Sequence, residues 1–189
     1  MRVMLVDDDR ERIGLLDDAL TAAGHQVIAR LLASDDLLSA VTAHQPDIIL
    51  IDVDAPSRDT LESLGQISRE RPRPIVLFAQ ASDSETIRRA MRAGVSAYVV
   101  DGLASSRLKP VIDVAIARFQ EFQGLKRELE NTRLKLADRR DVEKAKGLLM
   151  KRRGLDEGTA YETLRRMAMD RNQRLGDVAR SLIAAAEVL

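Results

Sequence analysis

The first hundred residues alternate short apolar runs with amphipathic stretches. The spacing matches βα units, in which a helix follows each strand and returns the chain to the same edge of a parallel sheet. The five runs are VMLV (3–6), QVIARL (26–31), DIILID (47–52), PIVLF (74–78) and AYVV (97–100). The third and fourth runs are almost wholly apolar, which is typical of central strands covered on both faces. The pattern predicts an α/β fold with a doubly wound, five-stranded parallel sheet over residues 1–118, in which Gly24 and Gly94 end helices.

A long helix without breakers is predicted after Pro110. Its apolar residues recur at intervals of three and four, which keeps them on one side of the helix. They are Ala115, Phe119, Phe122, Leu125, Leu129 and Leu136. We expect residues 119–137 to form a coiled-coil linker that joins two copies of the chain through Phe122, Leu125, Leu129 and Leu136. Packing of this helix on its own domain is the alternative, because Arg118, Thr132 and Arg139 interrupt the heptad.

Residues 138–189 show the periodicity of three short helices. The predicted inward-facing positions are Val142, Ala145, Leu148 and Leu149 on the first helix, Tyr161, Leu164, Met167 and Ala168 on the second, and Leu175, Val178, Ala179, Leu182, Ile183 and Ala186 on the third. Gly154 is predicted to end the first helix and Asp156 to cap the second. Gly147 lies inside the first helix, where glycine costs ~1 kcal/mol relative to alanine. We therefore expect Gly147 to mark a close crossing of two helices.

Composition narrows the class of protein. The 189 residues suffice for one ordinary domain and a smaller one, and 45 % of them are apolar. There is no cysteine, which excludes disulfides and thiolate metal sites, and the two histidines lie far apart. Neither an export signal nor a membrane span is visible, so we predict a cytoplasmic protein without membrane contact.

Charge is unevenly distributed along this neutral chain. Residues 1–119 hold 14 Lys and Arg against 18 Asp and Glu, whereas residues 120–189 hold 16 against 12. An acidic control module joined to a module that meets a polyanion would have this asymmetry. Two merely solvated surfaces would have it too, and charge alone leaves both interpretations open.

Three carboxylates follow apolar runs of the predicted sheet. Asp7 and Asp8 end the first strand and Asp52 ends the third. The carboxyl ends of parallel strands meet at one edge of a sheet, where ligands bind, and clustered carboxylates suit Mg²⁺. The sequence therefore predicts a magnesium site formed by Asp7, Asp8 and Asp52, although acids at strand ends also serve as helix caps.

Residues 1–118 resemble the receiver domain of response regulators. The resemblance rests on LVDD (5–8), the strand ending in Asp52, Pro56 four residues later, and AGVSAYVV (93–100) with Tyr98. It implies that Asp52 accepts a phosphoryl group and that Asp7 and Asp8 hold Mg²⁺. Two positions depart from the family pattern: Ala79 replaces a hydroxyl residue and Asp101 replaces a lysine. Alanine cannot donate a hydrogen bond and a carboxylate repels a phosphoryl group, so we expect phosphorylation to be disabled.

Residues 138–189 resemble the ANTAR domain of transcription antiterminators, an RNA-binding three-helix module. The resemblance rests on KAKGLLM (144–150), GLDEGTAYETLRRMAM (154–169) and RLGDVARSLI (174–183). The motif positions are Ala145, Gly147, Leu149, Met150, Ala160, Tyr161, Leu164, Arg165, Ala168 and Met169. The predicted RNA-binding residues are Lys144, Lys151, Arg152, Arg153, Arg165, Arg166, Arg171, Asn172, Gln173 and Arg174. Tyr161 is the only aromatic residue of this part and is predicted to lie in the core, so aromatic stacking platforms are not available.

Within this family the chain is most similar to the NasT-like antiterminators of nitrate assimilation. The similarity includes PSRD (56–59), RPRPIV (71–76) and RLKPVIDVAIARF (107–119). It implies binding to a leader RNA with two hairpins, and control by a nitrate-binding sensor protein in place of a kinase.

Two other functions compete with this one. The same effector could be switched by phosphorylation of Asp52, or the last two helices could bind DNA as a helix-turn-helix. The DNA-binding alternative is disfavoured because the third helix ends in LIAAAEVL (182–189), which has few polar residues to read bases. No nucleophile–base pair or glycine-rich phosphate loop is visible, so we do not predict an enzyme.

Overall fold

A computed structural model describes residues 1–80, 82–100 and 105–187. It divides the chain into two compact units, Met1–Phe122 and Gln123–Leu189. Five strands and five helices begin in the first unit: β1 (Arg2–Asp7), α1 (Arg10–Ala22), β2 (Gln26–Leu31), α2 (Leu37–His44), β3 (Ile48–Val53), α3 (Arg58–Glu70), β4 (Ile75–Ala79), α4 (Ser84–Arg92), β5 (Ala97–Val100) and α5 (Ser105–Arg153). The second unit holds the rest of α5, then α6 (Glu157–Asp170) and α7 (Leu175–Glu187).

The strands form one parallel sheet in the order β2-β1-β3-β4-β5. Its two faces bury separate apolar clusters, because successive side chains of each strand point to opposite faces. Met4, Ile49 and Leu77 pack with α2, α3 and α4. Leu5 and Phe78 face the other way and pack with α1 and the first turns of α5. The predicted doubly wound sheet is confirmed, and the five predicted strands differ from the observed ones by at most one residue at either end.

The second unit is a three-helix domain with its own core. Ala145, Leu149, Leu164, Val178 and Ile183 are buried against one another. The Asp156 carboxylate accepts a hydrogen bond from the backbone N–H of Thr159 at 3.0 Å, which confirms the predicted cap of α6. Gly154 has a φ of 65°, a left-handed conformation that favours glycine and ends α5.

Helix α5 differs from the expectation at both of its ends. It begins at Ser105, so Pro110 lies inside it, and it continues without a break into the segment expected to be a separate first helix after residue 137. No glycine or proline separates the two segments, which is why one helix of 49 residues forms. Neither α5 nor any other helix in the described part of the chain is long and apolar enough to cross a membrane.

Candidate functional site

The acidic pocket lies at the carboxyl ends of β1 and β3. Asp7 and Asp52 are partners in the parallel pairing of these strands, and both side chains are buried. The Arg12 guanidinium, from the first turn of α1, lies against both. Its Nη2 donates to Asp7 Oδ1 at 2.7 Å, its Nε donates to Asp7 Oδ2 at 2.8 Å, and Nε lies 3.5 Å from Asp52 Oδ2. Arg12 thus forms a two-point ion pair with Asp7 and a longer contact with Asp52.

The two carboxylates are in different environments. Asp7 Oδ1 also accepts the backbone N–H of Asp9 at 2.8 Å. Neither oxygen of Asp52 has a hydrogen-bond partner among the described residues. Burial raises the pKa of Asp52 from 3.8 to about 6; the positive charge of Arg12 opposes this rise, and the negative charges of Asp7 and Asp54 add to it. Asp52 is therefore the less stabilised anion of the pair.

This arrangement does not fit the magnesium site predicted from Asp7, Asp8 and Asp52. The Asp8 side chain is directed away from the pair, and its Oδ1 accepts the backbone N–H of Ala33 at 3.0 Å. Both oxygens of Asp7 are already taken by Arg12. In the part of the chain that the structure describes, no three Asp, Glu, His or Cys side chains converge on one point as a metal would require. The prediction overlooked Arg12, a cation supplied by the chain itself.

The residues expected to sense a phosphoryl group are partly described. Ala79 ends β4, pairs with Val53 of the neighbouring strand, and is buried. Its methyl group offers no hydrogen bond to an anion at Asp52. Asp101 lies outside the described residues. The Tyr98 hydroxyl forms a 2.8 Å hydrogen bond with Ser82 Oγ, which connects the end of the sheet to the segment before α4.

The motif residues of the second unit fall into two groups. Ala145, Leu149, Ala160, Leu164 and Ala168 are buried in the three-helix core. Three further motif residues, Gly147, Met150 and Tyr161, are exposed. Tyr161 is 41 % exposed, so its expected place in the core is wrong. For Gly147 the reason is geometric: α5 turns Ala145 and Leu149 inward, and Gly147, two residues from each, lies toward the opposite side of the helix.

Gly147 does not mark a helix crossing. A Cβ atom added at this position would meet no described atom within 4 Å outside its own neighbourhood in the helix. The close crossing occurs instead at Gly176 of α7, where an added Cβ would collide with the Asp138 side chain of α5. The expectation was right that a helical glycine permits a close approach, but it was assigned to the wrong glycine.

A basic stripe runs along the outer face of α5. Arg140, Lys144, Gly147 and Lys151, spaced by four, three and four residues, are all exposed and lie on the side away from Ala145. We call these four residues the outer stripe of α5. Gly147 interrupts the row of long cationic side chains with a bare segment of backbone. Sequence reasoning named three of these residues but did not include Arg140.

Several of the predicted RNA-binding residues have structural contacts. Arg152 Nη2 donates to the backbone oxygen of Ala186 at 2.8 Å. Arg174 Nη2 donates to Asp138 Oδ2 at 2.6 Å. Asn172 has a φ of 49° and lies just after α6, where asparagine tolerates the left-handed conformation. The remaining cations of the prediction, Arg153, Arg165, Arg166 and Arg171, are exposed, as is Gln173.

Two charged residues that the sequence did not single out hold the second unit together. Arg180 of α7 pairs with Asp138, Asp141 and Asp177. Lys146 is only 8 % exposed and pairs with Glu143 at 2.9 Å and with Glu157 at 2.7 Å. The i,i+3 spacing of Glu143 and Lys146, and of Asp177 and Arg180, could have predicted these two ion pairs from the sequence. The longer-range pairs could not be predicted in this way.

The predicted coiled-coil positions are exposed. Phe122, Leu125, Leu129 and Leu136 have between 51 and 61 % of their surface accessible. Leu134 is also 53 % exposed, although it lies off the heptad stripe. Ala115, Ile112 and Leu108, earlier in α5, are buried in the core of the first unit.

Comparison with known families agrees with this architecture. The model of the response regulator receiver domain matches residues 3–113, and that of the ANTAR domain matches residues 130–183. The Transcriptional regulatory protein PdtaR of Mycobacterium tuberculosis is 32 % identical over 178 residues, which cover 94 % of this chain and 87 % of that protein. A Nitrate regulatory protein of Klebsiella oxytoca is 36 % identical over 83 residues, which cover 44 % of this chain and 21 % of that protein.

Solved structures share the fold of the first unit. The signal receiver domain of a modulated diguanylate cyclase from Desulfovibrio desulfuricans has a TM-score of 0.54 at 24 % identity, over 63 % of this chain and 95 % of that one. A LuxR-family response regulator from Aurantimonas has a TM-score of 0.53 at 25 % identity, over 61 % of this chain and 84 % of that one. With both domain models matched in order and a relative matched along almost the whole chain, this protein belongs to the response regulator family and carries an ANTAR domain after its receiver domain.

Proposed function

We propose that this protein is an RNA-binding transcription antiterminator. Its target would be a leader RNA with two hairpins, and binding would prevent formation of the terminator. The observation that carries the proposal is the outer stripe of α5, an exposed row of cations opposite the three-helix core. Phosphate contacts supply much of the affinity of such interfaces, and exposed lysine and arginine side chains make them by neutralising phosphates.

Exposure and contacts support some of the candidate RNA-binding residues more than others. Lys151 belongs to the outer stripe and Arg166 is exposed on α6, so both support phosphate contact. Arg152 and Arg174 have partners within the unit, and we assign them to folding. Tyr161 is exposed on α6 and is the one aromatic side chain in this unit, so we add it as a base-contact candidate.

Gly147 is best explained by the same face. A glycine inside a helix costs ~1 kcal/mol relative to alanine, and this one packs against nothing within the described unit. A bare backbone segment between Lys144 and Lys151 permits close approach of an RNA strand, as glycine does wherever a ligand must come near the main chain.

Control by a protein partner suits the receiver domain better than control by a kinase. Ala79 offers no hydroxyl group near Asp52, and Arg12 holds both oxygens of Asp7, a predicted ligand of the Mg²⁺ on which phosphorylation would depend. The similarity of one segment to a Nitrate regulatory protein supports genes of nitrate and nitrite assimilation as the target and a nitrate-binding sensor protein as the partner. This assignment places the protein in the cytoplasm.

A second candidate is the same effector switched by phosphorylation. The observation that favours it is Asp52, whose two oxygens lack hydrogen-bond partners among the described residues and are therefore not held by donors. DNA binding through α7 has less support. Arg180, on the exposed face of α7, is paired with three carboxylates. Ala184 and Ala185, exposed on the same helix, have no polar side-chain atoms with which to read bases.

The test is a binding titration of the full chain with the two-hairpin leader and with a leader whose loops are scrambled. We expect specific binding to the intact leader. The sensor protein without nitrate should displace the RNA, and a small phosphodonor should leave the affinity unchanged. Equal affinity for both RNAs would contradict recognition of the hairpins. Binding that appears only after treatment with the phosphodonor would support the second candidate.

A homodimer through α5 completes the proposal. Leu125, Leu129 and Leu136 expose about half their surface or more along one stripe, and such a stripe is stabilised when a second copy covers it. Two ANTAR domains held by one coiled coil match a leader with two hairpins.

A further inference from the structure

The acidic pocket of the receiver domain contains a cation that belongs to the chain. Arg12 donates two parallel hydrogen bonds to the oxygens of Asp7 and lies 3.5 Å from Asp52. Its guanidinium group is planar and always charged, and its donors match the spacing of a carboxylate. Arg12 thereby offsets charge repulsion between two buried carboxylates that face one another across neighbouring strands.

The position of Arg12 is unusual for a helix end. It lies in the first turn of α1, where the positive end of the helix dipole favours acids over cations. Its backbone N–H donates to Asp9 Oδ1 at 3.3 Å, and the following N–H, of Ile13, donates to the Asp9 backbone oxygen at 3.0 Å. The backbone is thus fixed on Asp9, and the side chain is left to reach back to Asp7. The contacts of Arg12 with Asp7 and Asp52 offset its unfavourable interaction with the helix dipole.

The same contacts compete with a divalent cation for the oxygens of Asp7. Mg²⁺ demands near-octahedral oxygen ligands, and it would need the Asp7 oxygens that Arg12 already holds. Asp8 does not substitute for Asp7 as it stands, because its Oδ1 accepts the Ala33 N–H at 3.0 Å. We propose that Arg12 is a built-in replacement for the divalent cation of this receiver domain, so that the pocket carries a fixed counter-charge on Asp7 and excludes Mg²⁺.

The consequence is a receiver domain whose folded state does not depend on magnesium. In a pocket that binds Mg²⁺, chelation would change stability by mass action. Here the counter-charge is a side chain of the protein itself. Neither magnesium nor a chelator should therefore change the stability of the receiver domain. This inference concerns only the first unit and does not rest on the RNA-binding proposal.

The test uses Mn²⁺ as a paramagnetic stand-in and measures free Mn²⁺ by electron paramagnetic resonance in the presence of the full chain. We expect the wild type to bind no Mn²⁺ below about 1 mM. Arg12→Met removes the charge and keeps a flexible apolar stem, and should raise Mn²⁺ affinity at least about tenfold. Arg58→Met removes an exposed arginine that pairs with Glu62 at 2.7 Å, away from the acidic pocket, and should bind no more Mn²⁺ than the wild type.

Two further measurements keep the result unambiguous. Adding Asp8→Asn to Arg12→Met should abolish the gained Mn²⁺ binding if the metal occupies this pocket. Thermal unfolding should show Arg12→Met destabilised in a chelator and partly restored by Mg²⁺, with the wild type unchanged by either. If Arg12→Met does not fold, Mn²⁺ binding is measured on the wild type and on Arg12→Lys, which keeps the positive charge. Both should bind no Mn²⁺ below about 1 mM. Submillimolar Mn²⁺ binding by the wild type, lost in Asp8→Asn, would overturn the proposal.

Discussion

Asp7 and Asp52 face each other across β1 and β3, yet among the described residues only Asp7 has hydrogen-bond donors. Arg12 binds Asp7 at two points and meets Asp52 only at 3.5 Å. Asp52, the predicted phosphoryl acceptor, is therefore the poorly stabilised member of the pair. This difference has a measurable effect on stability.

Asp52→Asn should stabilise the protein more at neutral pH than at acid pH. The pKa of Asp52 is raised from 3.8 in the unfolded chain to about 6 in the folded one, so the folded state binds the proton more tightly. The stabilisation from that proton is present below pH 3.8 and is lost as pH rises through about 6. The gain on substitution should grow over this window to an order of 2 kcal/mol and then level off.

Chemical unfolding of both proteins at several pH values measures this gain. A gain that is independent of pH would mean that Asp52 is not protonated in this window. The same variant should retain its affinity for the two-hairpin leader, because Ala79 offers no hydroxyl group to report a charge at Asp52. Loss of leader binding in Asp52→Asn would favour the phosphorylation-switched candidate.

Gly147→Ala and Gly176→Ala should have opposite effects. At Gly147 a methyl group meets nothing within 4 Å, so alanine should stabilise α5 by about 0.5–1 kcal/mol. At Gly176 the methyl group collides with Asp138, which is fixed by Arg174 and Arg180, so alanine should destabilise the second unit. Thermal unfolding measures both effects.

Binding of the leader distinguishes the role of Gly147 further. If an RNA strand approaches the backbone there, Gly147→Ala should weaken binding at least about fivefold although the protein is more stable. Unchanged affinity would mean that the glycine serves neither packing within the unit nor RNA contact.

Lys151→Ala and Arg152→Ala should separate phosphate contact from folding. Lys151 is exposed on the outer stripe of α5, so its loss should lower the slope of affinity against salt by about 0.7 in logarithmic units. Arg152 donates to the Ala186 backbone oxygen, so its loss should reduce the stability of the second unit instead. Binding titrations at several salt concentrations, with unfolding curves, measure both. Identical salt slopes in wild type and Lys151→Ala would show that Lys151 is only solvated.

Leu129→Glu should weaken self-association, and Leu134→Glu should not. Both leucines are about half exposed in α5, but only Leu129 lies on the heptad stripe with Leu125 and Leu136. A carboxylate buried in that seam is costly, and we expect the dimer dissociation constant to rise at least about tenfold. Analytical ultracentrifugation measures this change. Equal effects of the two substitutions would place the interface elsewhere on the chain.

Local sequence determined the parts of this protein that depend on periodicity and on turn chemistry. The alternation of apolar runs was sufficient for the five-stranded sheet, because a buried strand needs apolar residues on both faces wherever it lies in the chain. Gly154 and Asp156 were recognised because the end of α5 and the start of α6 require a left-handed residue and a cap, which are local demands.

Tertiary structure decided how the charged residues pair and which glycine permits a helix contact. Asp138 meets Arg174 and Arg180 only because α7 returns across α5, more than thirty residues later in the chain. The sequence singled out Gly147 because it lies inside a predicted helix, but of the two glycines only Gly176 packs against another helix. Arg12 was likewise one cation among many in the sequence. Its contact with Asp7 and Asp52 exists because the sheet brings two distant strand ends to the first turn of α1, an arrangement that long-range pairing creates and no local pattern encodes.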